Sequence, residues 1–256
     1  MSFCIREITT ENIMKINKVH CLFEQSGTFK NQLKKLGINA EDYDILNEFG
    51  ETDHVVDLFG EIEKAYDGEK SIFDSIGECD LVFAFFPCTR FESVIPIAFR
   101  GEQPQQKNWS DIKKLENSMK LHEELHQLYM LICKLFSICL RGGWRMIVEN
   151  PYSNIHYLTQ YFPVRPKIID KDRTIHGDHF KKPTQYWFLN CEPEQNVIFT
   201  PIDFVQTQQI ERVGRMDNGC SIKVMRSMIH PQYAKRFIQM HVMDAAGGLI
   251  MEGGEG

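Results

Sequence analysis

The run DLVFAFF at residues 80–86 constrains the fold more than any other part of the chain. Past Asp80 it holds no polar side chain. A strand with one wet face alternates apolar and polar positions. A run without alternation suits a strand covered on both faces, as inside a parallel sheet flanked by helices. Shorter runs lie on either side of it. KVHCLF (18–23), residues 43–46, HVVDLF (54–59), residues 144–148 and TQYWFL (184–189) read as strands. Helical stretches separate them: one ending at Leu36 before Gly37, one over 69–76, one over 110–140 and one over 231–243. Ser110 can cap the long helix, and Gly142-Gly143 can end it. This alternation predicts an α/β fold built on a doubly wound, mostly parallel sheet. A single domain is expected over residues 1–245, followed by a Gly-rich tail, 246–256, that frays.

Composition removes several classes. With 43% hydrophobic and 25% charged residues, a 256-residue chain is neither disordered nor fibrous. A net charge of −6 argues against gripping a polyanion through bulk charge, although a local basic groove remains open. No stretch of 18 apolar residues is present, so no membrane span is expected. The start, MSFCIREITTEN, lacks the apolar core of a secretory signal. The eight cysteines form no CxxC pair, which fits a reduced, cytoplasmic chain. Residues 122–126 read HEELH, a literal HExxH. They fall inside the long helix with no third ligand nearby in sequence, so no metal site is expected.

Open α/β sheets bind ligands at the carboxyl ends of their strands, so the residues there carry the functional reading. After the first strand comes Phe23 to Phe29, a small-residue turn into a helix. It is either a plain connection or a place where backbone N–H groups meet a ligand. Asp44 and Asp57 follow the second and third strands. Each is either a solvated loop charge or an acceptor for a ribose hydroxyl. Pro87-Cys88 follows the fourth, with Arg90 placed to stabilise a thiolate. Glu149-Asn150 follows the fifth. Glu149 there is either a loop-tethering carboxylate or a desolvated acid with a raised pKa, suited to proton donation.

The order of these features resembles the cytosine-C5 DNA methyltransferases, S-adenosylmethionine-dependent enzymes of the class I α/β type. That family opens with a D-x-F-x-G-x-G-G-F turn. Residues 21–29 read CLFEQSGTF, with Phe23, Gly27 and Phe29 in place and the leading Asp and two glycines replaced. The family's nucleophile lies in a Pro-Cys pair, here Pro87-Cys88, and its cytosine-holding carboxylate in E-N-V, here Glu149-Asn150-Pro151. A late N-S-V segment that touches the cofactor corresponds to Arg226-Ser227-Met228.

The resemblance implies S-adenosylmethionine held by Phe23, Ser26, Gly27, Thr28, Asp44, Asp57, Leu58, Pro87 and Ser227. It implies Cys88 attacking C6 of a flipped-out cytosine and Glu149 at N3, with Arg90, Asn150, Lys182 and Gln185 as substrate contacts. DNA is the implied partner, RNA stays open, and a phage or prokaryotic enzyme is the implied source. The family's Q-x-R-x-R segment falls on residues 181–185, so Lys182 or Gln185 stands where an arginine is usual. Only residues 190–223, with Arg212 and Arg215, fill the place of a large recognition domain. Arg165, Lys167, Lys171, Arg173, Lys181 and Lys182 form a basic stretch that either tracks phosphates or is a solvated segment balanced by its own aspartates. The non-enzymatic rival is a methyltransferase-like fold kept as a nucleic-acid-binding module.

Overall fold

The structure is a computed structural model that describes residues 16–92, 95–199, 201–202 and 228–243. Its strands are β1 (Lys18–Leu22), β2 (Asn39–Asp44), β3 (His54–Val55), β4 (Leu81–Ala84), β5 (Arg145–Pro151), β6 (Ile168–Asp170) and β7 (Thr184–Leu189). Its helices are α1 (Thr28–Lys35), α2 (Leu58–Asp67), α3 (Ile95–Phe99), α4 (Asp111–Gly142), α5 (Tyr157–Tyr161) and α6 (Pro231–His241). The strands form one sheet in the order β3-β2-β1-β4-β5-β7-β6. All pairings are parallel except those of β7, which runs antiparallel to both neighbours.

The fold is therefore α/β with a seven-stranded, mostly parallel sheet, and β4 shows why DLVFAFF looks as it does. All four β4 residues are buried. Leu81 and Phe83 join one core with Phe29 and Leu33 of α1 and Phe237 and Ile238 of α6. Val82 and Ala84 join the other with Leu58 and Ile62 of α2 and Ile132 and Leu135 of α4. Successive strand residues point to opposite faces, and helices cover both. The long helix is capped as its sequence predicts: Ser110 Oγ accepts from Lys113 N at 3.3 Å, and Gly143 ends it at φ 72°.

Three expectations need correction. The strand over 54–59 shrinks to His54–Val55, because Asp57 Oδ1 accepts from Phe59 N at 3.1 Å and starts α2 there. Helix 69–76 is absent. α2 ends at Gly68 (φ 80°), and only a 3-10 turn, Ile72–Ser75, follows. β2 begins at Asn39 rather than at residue 43, even though NAEDYD is acidic. Its Asp42 is buried against Lys30 Nζ at 3.0 Å, and Asp53 reaches the same ammonium at 3.3 Å, so the charge is neutralised where it enters the core.

Candidate functional site

The carboxyl ends of β1, β2, β4 and β5 open on one cavity of about 610 Å³. It brings together Phe23, Ser26, Thr28, Asp44, Asp57, Leu58, Pro87, Cys88, Glu149 and Lys182 of the residues singled out in the sequence. Glu24, Phe59 and Phe86 also line it. The parallel strands explain the gathering, since all of them end on the same edge of the sheet. A second cavity, about 410 Å³, lies between β6 and α6 and contains none of the candidate site residues.

One end of the cavity is aromatic and acidic. Phe23 sits at φ 61°, a left-handed conformation that costs a non-glycine residue about 1–3 kcal/mol. Its N–H donates to Tyr43 O at 2.8 Å, which aims the ring at Phe86 (5.4 Å) and Phe59 (5.9 Å). Gly27 adopts φ 61° as the N-cap of α1, and a Cβ there would lie 3.2 Å from both Asn31 Nδ2 and Glu51 Oε2. Asp44 Oδ1 accepts from Leu46 N at 2.8 Å, and burial raises the Asp44 pKa. Asp57 caps α2 from the cavity wall.

Two N–H groups at the start of α1 are already taken. Glu24, 5% exposed, accepts from Phe29 N at 2.5 Å and Lys30 N at 3.1 Å. The sequence offers those N–H groups to an anion; in the structure the protein's own carboxylate takes them. Burial pushes Glu24 up to about 7 against the pull of the two amides. A carboxylate just ahead of a helix start was the only sequence signal for this residue.

The chemical end is built on the loop after β4. Pro87 and Cys88 lead into a turn in which Phe91 N donates to Cys88 O at 2.8 Å. The Cys88 thiol donates to Glu92 Oε1 at 3.3 Å. Burial pushes the thiol up to about 12, the Glu92 and Glu149 charges add to this, and Lys182 opposes it. Arg90 does not serve the thiol. Its guanidinium is paired with Glu124 of α4.

Asn150, fully buried, donates from Nδ2 to Phe86 O at 2.7 Å and ties β5 to the end of β4. Gln185 donates from Nε2 to Pro151 O at 2.7 Å. Neither lines the cavity, nor does Arg90. Asn150 and Gln185 each tie neighbouring strand ends together.

Glu149 is 6% exposed, and its Oε1 makes no hydrogen bond among the described residues. Its partner is the Arg173 guanidinium, in a long ion pair with Nη1 4.0 Å from Oε1. Arg173 is fully buried, ion-paired with Asp178, with its guanidinium 4.6 Å from the Tyr233 ring centroid. The sequence sets Arg173 in a basic stretch that either tracks phosphates or is a solvated segment; the structure removes Arg173 from the surface. Lys181 of that stretch pairs with Asp172, one of the segment's own aspartates, whereas Lys167 pairs with Glu192 outside it.

Ser227, Arg212, Arg215, most of 190–223 and the 246–256 tail lie outside the described residues. Among the described residues, no helix is long and apolar enough to cross a membrane, and no group of three His, Cys, Asp or Glu side chains could hold a metal. His122 of the HExxH stacks on Phe99 at 4.2 Å. No family model matches the chain, and no curated protein matches its sequence.

Proposed function

We propose that the protein is an S-adenosylmethionine-dependent methyltransferase that methylates C5 of cytosine in DNA through a covalent adduct at Cys88. One observation carries the reading: Cys88 and Glu149, from the ends of adjacent strands, line the same cavity. The seven-stranded, mostly parallel sheet with helices on both faces is compatible with the class I methyltransferase type, and its antiparallel β7 between β5 and β6 departs from the dinucleotide-binding order 3-2-1-4-5-6.

The aromatic and acidic end fits the cofactor. Phe23 and Phe59 offer ring faces for a purine. Asp44 and Asp57 offer acceptors for ribose hydroxyls, and Glu24 an acceptor for an ammonium group. When bound, S-adenosylmethionine supplies an electrophilic methyl on a sulfonium. The chain's own residues prepare the carbon that takes it. Cys88 sulfur adds to C6 of the base, and the C5–C6 π pair then makes C5 nucleophilic. Glu149, as a carboxylic acid at N3, neutralises the charge that builds in the ring. Asn150 holds the two strand ends at their spacing.

A second reading, a binding module without catalysis, draws on Glu24, which takes two N–H groups at the α1 N-terminus where an anionic part of a cofactor would otherwise bind. Tritiated methyl transfer to duplex DNA, single-stranded DNA and RNA in parallel, with a 5-fluorocytosine trap, separates the readings. Label at C5 with a trapped adduct supports the enzyme. No label and no calorimetric binding of S-adenosylmethionine by folded protein supports the module. Label on RNA alone would move the substrate, not the chemistry.

A further inference from the structure

We propose that Glu92 is the proton acceptor for Cys88, removing the Sγ proton as sulfur adds to the base, so that the nucleophile is a cysteine–glutamate pair. This role rests on the function proposed above, in which Cys88 is the nucleophile.

The pairing is built into the loop. The hydrogen bond from Phe91 N to Cys88 O folds the chain back, so that residue 92 returns beside residue 88. Phe91 anchors the turn, 1% exposed, its ring 6.4 Å from Phe86 and 6.2 Å from Tyr157. Tyr157 N also donates to Phe91 O at 3.0 Å. Arg90 fixes the far side of the turn on Glu124 of α4. The backbone on either side of the thiol is thus held, and Glu92 Oε1 accepts from Sγ at 3.3 Å. Glu92 itself is exposed.

The site requires such a group. With the thiol pushed up to about 12, on the order of one molecule in 10⁵ is ionised at pH 7. The titratable groups facing the sulfur are Glu92 from its own loop, Glu149 from β5 and Lys182 from the segment before β7. Burial is the main cause of the rise, and the one cation, Lys182, does not offset it, so there is no preformed thiolate. The proton must leave as the bond forms. In the addition step the S–H bond breaks and its proton goes to Glu92. A sulfur lone pair forms the S–C6 bond, and the C5–C6 π pair moves into the ring as N3 takes a proton from Glu149. One carboxylate is protonated and one released, so the net charge is unchanged.

The test uses a sign difference. A spectator Glu92 only raises the thiol pKa, so Glu92→Gln would make Cys88 more acidic and more reactive. A base at Glu92 predicts the opposite for reaction at neutral pH. The full chain, its E92Q and E92D variants and a C88S control are compared in two assays. One is single-turnover methyl transfer. The other is alkylation of Cys88 by iodoacetamide, followed on the Cys88 peptide by mass spectrometry from pH 6 to 9.

The expected result for E92Q is a loss of about 10²- to 10⁴-fold in transfer at pH 7, with a rate that climbs about tenfold per pH unit. E92D should recover part of the loss. Alkylation of Cys88 at pH 7 should be slower in E92Q than in the parent. An E92Q protein that transfers methyl, or is alkylated, as fast as the parent or faster overturns the proposal. If the parent transfers no methyl, the function reading fails, and the alkylation comparison still decides for or against Glu92.

Discussion

Glu24 should make the protein less stable as pH rises through neutrality. Its carboxyl is buried behind the α1 N-terminus, and it titrates near 7 instead of the ordinary 4.5. Burial is the main cause. The N–H groups of Phe29 and Lys30 pull the other way, and the Asp42 charge adds to the rise. A folded pKa above the unfolded one means that the native state holds more protons than the unfolded state between about 4.5 and 7. Stability is therefore greatest from this group below pH 4.5 and falls until pH passes 7. At about 1.4 kcal/mol per pKa unit the whole change is about 3 kcal/mol. The group is 5% exposed, so solvent screening takes little from that figure.

Glu24→Gln isolates the effect. Its amide oxygen can keep the bond from Phe29 N, while its NH₂ faces Lys30 N and forfeits about 1 kcal/mol. Urea unfolding of parent and variant at half-unit steps from pH 4.5 to 8.5 gives the difference curve, in which groups common to both cancel. The parent's advantage at pH 4.5 should shrink by about 3 kcal/mol and reverse sign before pH 8. A difference curve that is flat, or that rises with pH, would refute the assignment of a buried, reluctantly ionised carboxyl.

Four residues yield further tests. Cys88→Ser should abolish tritium transfer to DNA while leaving calorimetric S-adenosylmethionine binding and the melting curve unchanged; retained transfer rules out the adduct. Asn150→Ala breaks the bond to Phe86 O in a fully buried place and should cost about 1–3 kcal/mol in urea unfolding. It should also lower kcat more than cofactor affinity. Gly27→Ala forces a Cβ onto a φ of 61° beside Glu51 and should destabilise by about 1–2 kcal/mol, with weaker cofactor binding by calorimetry. Phe59→Ala should weaken cofactor binding without changing Cys88 alkylation; equal affinity in the variant would remove the ring from the proposed purine site.

The sheet was legible because burial on two faces erases the alternation that burial on one face imposes, and residues 81–84 carry that signature. The gathering of Phe23, Asp44, Asp57, Cys88 and Glu149 was legible for a related reason. Parallel strands put their ends on one edge, so position in the chain converts directly into position in space. Side-chain direction within the loops does not convert in this way. Arg90 stands two residues from Cys88, yet it answers to Glu124, a partner 34 residues on. Arg173 sits among exposed lysines in sequence, but Asp178 and Tyr233 hold it inside. Its charge reaches toward Glu149 from a segment that reads as surface.

Glu24 and Glu92 went unseen for the same reason: each acts through a turn that doubles the chain back on itself, at Gly27 in one case and at Phe91 in the other. Periodicity reports which face of an element is buried. It carries no information about which donor a carboxylate meets once the element has ended. In this fold those meetings occupy the strand ends, so the part of the chain that decides the chemistry is also the part where pattern alone is least informative.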